Sequence, residues 1–311
     1  MRAFALDAFG QPGSIHELPE PEPSEGQVRV RVAAASLNPF DNFVLQGYMK
    51  DKMEHRFPLV PAGDFSGTVD ALGSGVDGFS IGDPVFGVNG KMFFGEGTLA
   101  GKTTASSGTI ARRPESLSDV DAAALPLAGV SALMCVEAAA PKPEDVVVVV
   151  GASGGIGSYA IQLAKVRGAH VIAVTHTANI DYVKGLGADE VIDRTAGDVV
   201  DALKSKHIDG VASIIDAASD AASLAALSEA VRKGGTVVSM KGAAAPDELA
   251  KRGIKGVNIQ TQVNTERLET LAQLSADGKL KAPRIHKFPL DKANEAFTVL
   301  GQTDGKIVVT V

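Results

Sequence analysis

Four glycines fall within the seven residues Gly151-Ala152-Ser153-Gly154-Gly155-Ile156-Gly157. Five consecutive valines, Val146 to Val150, precede them, and Ser158-Tyr159-Ala160-Ile161-Gln162-Leu163-Ala164 follows with helical character. A continuous β-branched run predicts a strand buried on both faces. Strand, glycine turn and helix in that order can cradle a pyrophosphate. Glycine permits the tight turn and the close approach of the backbone, and the last glycine lets helix and strand pack together. The helix N-terminus adds N–H groups and a positive dipole. We expect Ala152, Ser153, Gly154, Gly155, Ile156 and Gly157 to contact a dinucleotide. Ala152 stands where the first glycine of G-x-G-x-x-G would be, so the strand before and the helix after carry the assignment. A turn that merely joined two elements would leave the four glycines without a reason.

The choice between NAD and NADP is read at the end of the next strand, about 20 residues on, where an acidic side chain would bind the ribose hydroxyls of NAD. Here His170-Val171-Ile172-Ala173-Val174-Thr175-His176-Thr177 ends in neutral hydrogen-bonding groups. A 2'-phosphate would meet no carboxylate there. Thr175, His176, Thr177, Lys184 and Arg194 are candidate contacts, and NADPH is the expected cofactor. One charge-assisted hydrogen bond contributes roughly 1.5–3 kcal/mol.

Other chemistries find few residues. Cys135 is the single cysteine of 311 residues, which excludes an intramolecular disulfide and a four-cysteine zinc site. It lies in an apolar helical stretch and reads as a small core residue rather than a reactive thiol. The histidines His16, His55, His170, His176, His207 and His286 are scattered without metal-ligand spacing. No metal is expected. The net charge of −7 and the absence of tryptophan argue against nucleic acid or an anionic membrane as partner. No apolar run reaches the roughly 18 residues of a membrane span, and the first residues lack a signal-peptide core. A cytoplasmic protein is expected.

Two textures divide the chain. The first 115 residues alternate short strands with glycine and proline turns; Gln27 to Ala33 shows the period-2 pattern of a strand with one wet face. Phe65 to Leu72 and Pro84 to Val88 are further strand candidates. From about residue 119 the chain is helical, then alternates. Strands are predicted at 146–150, 170–175, 190–193, 210–216, 235–240 and 257–262, with helices at about 155–167, 178–186, 196–206, 220–231 and 265–276. Such alternation implies a doubly wound parallel sheet. The tail reverts to an extended segment, a helix and a closing strand at Lys306 to Val311.

The ordered set of segments resembles the medium-chain dehydrogenase/reductase superfamily. The segments are Asn38-Pro39-Phe40-Asp41, Pro61-Ala62-Gly63-Asp64-Phe65-Ser66-Gly67, Gly82-Asp83-Pro84-Val85-Phe86-Gly87, Ala123 to Ala132, the glycine turn, Leu186 to Asp193 and Gly305-Lys306-Ile307-Val308-Val309. In the zinc alcohol dehydrogenases of that superfamily, a cysteine and a Gly-His-Glu segment help hold the catalytic metal. Asn38 and Gly63-Asp64-Phe65 stand at those places, and this loss resembles the zinc-free quinone oxidoreductase branch. The resemblance implies an α/β protein: a Rossmann doubly wound domain at 119–280 inserted in a GroES-like irregular β-barrel catalytic domain at 1–118 and 281–311. It implies NADPH in the cleft between them. It places Asn38 and Ser131 toward the nicotinamide ribose, Ala217, Lys241 and Gly242 along the cofactor, and Lys306 in the closing Gly-Lys strand. A homodimer is expected. The segment Gly97-Thr98-Leu99-Ala100-Gly101-Lys102 lacks an acidic-aromatic pair that many relatives carry, so the substrate wall near Phe93 and Phe94 is expected to differ.

The expected reaction is hydride transfer from NADPH to a quinone or related conjugated carbonyl, with Asn38 and Tyr48 as the candidate catalytic side chains. An enone or enoyl reductase acting on an activated C=C bond is the alternative within enzymes. A low-turnover NADPH-binding sensor is the alternative outside them.

Overall fold

The computed structural model describes residues 1–91 and 93–311. The chain forms two compact units, Met1–Leu127 with Val263–Val311, and Ala128–Gln262.

The first unit is built on a seven-stranded, largely antiparallel sheet. Its main path runs Ile285–Pro289, Lys306–Thr310, Gln27–Leu37, Asp64–Leu72, Pro84–Val88 and Ile110–Arg112, and Lys102–Ser106 also pairs with Gln27–Leu37. Along the Gln27–Leu37 strand, Val28, Val30 and Val32 are buried while Arg31 is exposed, as the alternation predicts. The strand runs on to Leu37, with register shifts at Arg29/Val30 and Val32/Ala34. Such bulges bend a sheet and increase its twist. Phe4, Leu6, Leu59, Phe65, Leu99, Ile110, Ile307 and Val309 join the valines in its core.

The second unit holds a six-stranded sheet, every pair parallel. Its order is Glu190–Asp193, His170–Thr175, Val146–Val150, Val211–Asp216, Val231–Ser239 and Lys255–Asn258. The central strand Val146–Val150 pairs on both sides, and Val147, Val148 and Val149 are fully buried. The reversal of strand order beside it is the switch point at which doubly wound sheets bind ligands. No helix among the described residues is long and apolar enough to cross a membrane.

The boundaries lie elsewhere than the texture suggests: residues 119–127 and 263–280 cluster with the first unit. Packing explains this. Ala123 and Ala124 are buried against Ala34 and Val308. Thr265, at the start of the helix Thr265–Ala276, donates its hydroxyl to the carbonyls of Ser107 and Ile110. The strand expected at 257–262 is instead Lys255–Asn258, and the helix expected at 220–231 ends at Leu227 before the strand Val231–Ser239.

Candidate active site

The glycine turn takes the expected form. Gly151 adopts φ +75°, which L side chains rarely reach, and Gly154 caps the helix Gly155–Val166. A Cβ at Gly157 would lie 2.2 Å from the Gly151 carbonyl oxygen and 2.7 Å from Cα of Ala152. Only glycine permits this helix start to sit so close to the strand end. At Gly154 a Cβ would meet only the Gly151 oxygen, at 3.4 Å. The first N–H groups of a helix have no partners within it, so the turn presents donors suited to a pyrophosphate. Ala152 is fully buried, and Ser153 Oγ accepts from Nδ2 of Asn179.

Beyond the next strand, His176, Thr177 and Arg194 come together. The Arg194 guanidinium bonds the His176 ring, and Thr177 donates to Asp193. The Asp193 carboxylate also accepts from the Thr195 backbone and hydroxyl, and the Thr177 bond first and these second hold its pKa below the usual carboxylate range. A carboxylate therefore does stand beside these groups, contrary to the expectation, because the neighbouring parallel strand brings Asp193 opposite Thr175. Thr175 requires a correction. Its side chain was expected at the phosphate, yet the residue is 2% exposed and its hydroxyl is buried without a hydrogen-bond partner among the described residues. It sits one residue too early, where the parallel strand is still covered on both faces.

The other candidates of this unit lie at strand ends or on the helix Pro126–Ala139. Ala217 donates its N–H to Val150, Lys241 donates through Nζ to the Ala218 carbonyl, and Gly242 adopts φ +72°. Ser131 Oγ lies 2.6 Å from the Thr261 hydroxyl. Asp216, which sequence reasoning missed, organises the loops here. Fully buried at the end of Val211–Asp216, it accepts from the N–H groups of Ala218 and Ser219 and from Ser239 Oγ. The signal was present as one acidic residue closing an apolar strand. Burial, with the Asp216 charge, pushes the Cys135 thiol up to about 12, so Cys135 is an inert core residue.

In the first unit, Asn38 is the cap residue preceding the helix Pro39–Leu45, where Pro39 needs no N–H partner. The Asp41 carboxylate accepts the Asn38 N–H at 2.7 Å. The side chain of Asn38 is engaged elsewhere: Nδ2 donates to Asp64 Oδ2 at 3.0 Å, and Oδ1 accepts from Lys306 Nζ at 2.6 Å. Lys306 also donates to the Leu37 carbonyl at 2.9 Å, and its Nζ lies 3.8 Å from Asp64 Oδ2. Asn38, Asp64 and Lys306 are 7%, 1% and 5% exposed. Strand pairing assembles them, since Ser36 pairs with Asp64 and Leu37 with Ile307.

Burial dominates the electrostatics of this cluster. It raises the Asp64 pKa against the opposing effect of Lys306 and the Asn38 hydrogen bond, and it lowers that of Lys306 against the nearby Asp64 and Asp41 charges. Asp41, partly exposed as a residue, has its carboxyl pushed up to about 7, by loss of water first and the Asp64 charge second. Lys306 thus turns its ammonium onto Asn38 rather than outward. Tyr48 does not join the cluster: it is 68% exposed, packs its ring 5.6 Å from Phe43, and no hydrogen bond among the described residues ties it to Asn38. Of the aromatic wall, Phe94 packs 6.0 Å from Phe40, and the Arg56 guanidinium lies 3.8 Å over Phe93.

Two family models match the chain: an alcohol dehydrogenase GroES-like domain over residues 24–115 and a zinc-binding dehydrogenase over residues 186–309. A chloroplastic quinone-oxidoreductase of Triphysaria versicolor is 34% identical over 326 residues, covering 99% of this chain and 98% of that protein. An NADPH-dependent alkenal/one oxidoreductase of Arabidopsis thaliana is 34% identical, over 93% of this chain and 73% of that protein. The solved quinone oxidoreductase of Coxiella burnetii superposes with a TM-score of 0.88 at 31% identity, covering 100% of this chain and 99% of that one.

The zinc that one of these descriptions implies does not fit the residues present. Asn38 bonds both Asp64 and a lysine ammonium, and an ammonium 2.6 Å from the amide oxygen competes with any metal for that donor. Among the described residues no group of three or more histidine, cysteine, aspartate or glutamate side chains could hold a metal ion. A dinucleotide does fit, because the turn leaves helix-start donors facing a backbone that only glycine can form. With a dinucleotide turn on a doubly wound sheet, a GroES-like companion unit and full-length likeness to quinone oxidoreductases, the chain belongs to the quinone oxidoreductase branch of the medium-chain dehydrogenase/reductase superfamily and is a pyridine-nucleotide-dependent oxidoreductase.

Proposed function

We propose that this protein reduces a quinone or a related conjugated carbonyl with NADPH and without zinc. The observation that carries the reading is the carboxamide of Asn38, fixed by Lys306 and Asp64 where zinc enzymes of the superfamily place metal ligands. An amide N–H can stabilise charge growing on a carbonyl oxygen. It lacks the Lewis acidity of a metal, which contributes several kcal/mol to alcohol oxidation. Quinones and enones need less help, because conjugation spreads the incoming charge.

When bound, NADPH supplies the hydride. The amides at Gly155, Ile156 and Gly157 would hold its pyrophosphate, since the Gly154 N–H is turned onto the Gly151 carbonyl, and His176 and Arg194 would hold its 2'-phosphate, since the Thr177 hydroxyl is given to Asp193. The preference for NADPH is supported by the arginine–histidine pair. An enone reductase is the second reading, favoured by the likeness to the Arabidopsis alkenal/one oxidoreductase. NADPH oxidation with a small quinone and with a short enone, compared as kcat/KM, tests both. Turnover of either supports the reading; tight NADPH binding without turnover of any member of a broad panel favours a sensor.

A further inference from the structure

We propose that Lys306 and Asp64 are positioning residues acting through Asn38, holding its carboxamide so that its remaining N–H is the group offered to an acceptor oxygen of the ligand. This rests on the reading of the protein as a carbonyl reductase and adds two residues to it.

A carboxamide turned by 180° has the same shape, so its partners decide its orientation. An ammonium can only donate, and the Lys306 Nζ lies 2.6 Å from one end of the Asn38 amide, which is therefore the oxygen. The other end is the nitrogen, and it donates to the Asp64 carboxylate at 3.0 Å. One N–H of Nδ2 then remains. The backbone is fixed as well, since Asp41 accepts the Asn38 N–H. Without Lys306 the amide oxygen loses a charged donor, and the carboxamide is free to turn lone pairs toward the carbonyl it should stabilise. Without an acceptor at residue 64, the nitrogen loses its anchor.

Stability alone does not account for these residues. Burying two ions is costly, and a well-packed apolar pair often serves the fold as well or better. Lys306 and Asp64 lie 3.8 Å apart, further than a direct hydrogen bond, while both bond the same amide. The pair is arranged around Asn38 rather than around itself.

The test is a double-mutant cycle on kcat, KM, NADPH affinity and thermal midpoint, using Lys306→Met, Asn38→Ala and the double variant. Lys306→Met should lower kcat/KM about tenfold or more, the low end for a charge-assisted hydrogen bond, mostly in kcat. In the Asn38→Ala background it should cost less than about twofold, although it still shifts the midpoint. An equal loss in both backgrounds would make the lysine merely structural and overturn the proposal. Should Lys306→Met fail to fold, Asp64→Asn and Asp64→Leu replace it. Asparagine can still accept the Asn38 N–H, so it should lose less activity than leucine; equal losses would overturn the proposal. If the native protein reduces no quinone or enone, the proposed function fails, and the side-chain amide signals of Asn38 in the labelled protein decide this point separately. Two resolved, slowly exchanging protons that shift or average on Lys306→Met support the lock, and unchanged signals refute it.

Discussion

The ammonium of Lys306 donates to Oδ1 of Asn38 at 2.6 Å, although 268 positions separate the two residues in the chain. The closing strand Lys306–Thr310 returns to pair antiparallel with the end of Gln27–Leu37 and delivers the lysine beside the helix that Asn38 begins. The site in this unit is therefore a product of sheet register.

The glycine turn makes a prediction that separates fold from function. Gly157→Val would force a side chain to within 2.2 Å of a backbone oxygen, so it should both lower the thermal midpoint and abolish NADPH binding. Gly154→Val meets its nearest neighbour at 3.4 Å, so it should fold while losing most of its affinity, because the branched side chain occupies the space of the pyrophosphate. Melting curves with cofactor fluorescence titration check this. Unchanged binding in both variants would move the cofactor elsewhere.

This turn was legible because all its determinants are local: valine run, glycines and helix are consecutive. The parallel sheet was legible for the same reason. The cluster around Asn38 was not, because neither Asp64 nor Lys306 reveals from its neighbours which strand it will face. Thr175 was misplaced by one residue, since the sequence shows where a β-branched run ends but not how far its burial extends. Tyr48 was named from its place after Gln46-Gly47 alone, and the turn after Leu45 leaves it exposed.

At the 2'-phosphate, Arg194→Ala should cut the preference for NADPH over NADH about tenfold, the low end for one charge-assisted contact. Thr175→Val should leave the preference unchanged and keep or raise stability, because the hydroxyl it removes is buried without a partner among the described residues. The ratio of kcat/KM for the two cofactors reads both. A loss of NADPH preference in Thr175→Val would restore that residue to the site.

Asp41 gives a pH signature. Its carboxyl is raised from 3.8 to about 7 in the folded protein, so the folded state favours its proton. The stability it contributes is full below about pH 4 and is lost as pH rises toward 7, at up to about 1.4 kcal/mol per pH unit. Asp41→Asn keeps an acceptor for the Asn38 N–H and cannot ionise. Its midpoint relative to the native protein should therefore rise between pH 4 and pH 8. A constant difference across that range would show that Asp41 does not titrate there.

Metal content is a direct check on the donor set. Protein purified without chelators should carry well below one zinc per chain by elemental analysis, and dialysis against a chelator should leave NADPH oxidation unchanged. Stoichiometric zinc that is lost together with activity would contradict the role assigned to Asn38.

Hydride transfer itself is tested with NADPH deuterated at both C4 positions, supplied with a short enone or a small quinone under anaerobic conditions, beside an ethanol and NADP control. Hydride transfer from C4 without metal predicts a slower kcat/KM with the deuterated cofactor, deuterium on carbon in the reduced enone when the enone is the substrate, and negligible ethanol oxidation. Reduced enone without deuterium, or robust ethanol oxidation by metal-free protein, would contradict it.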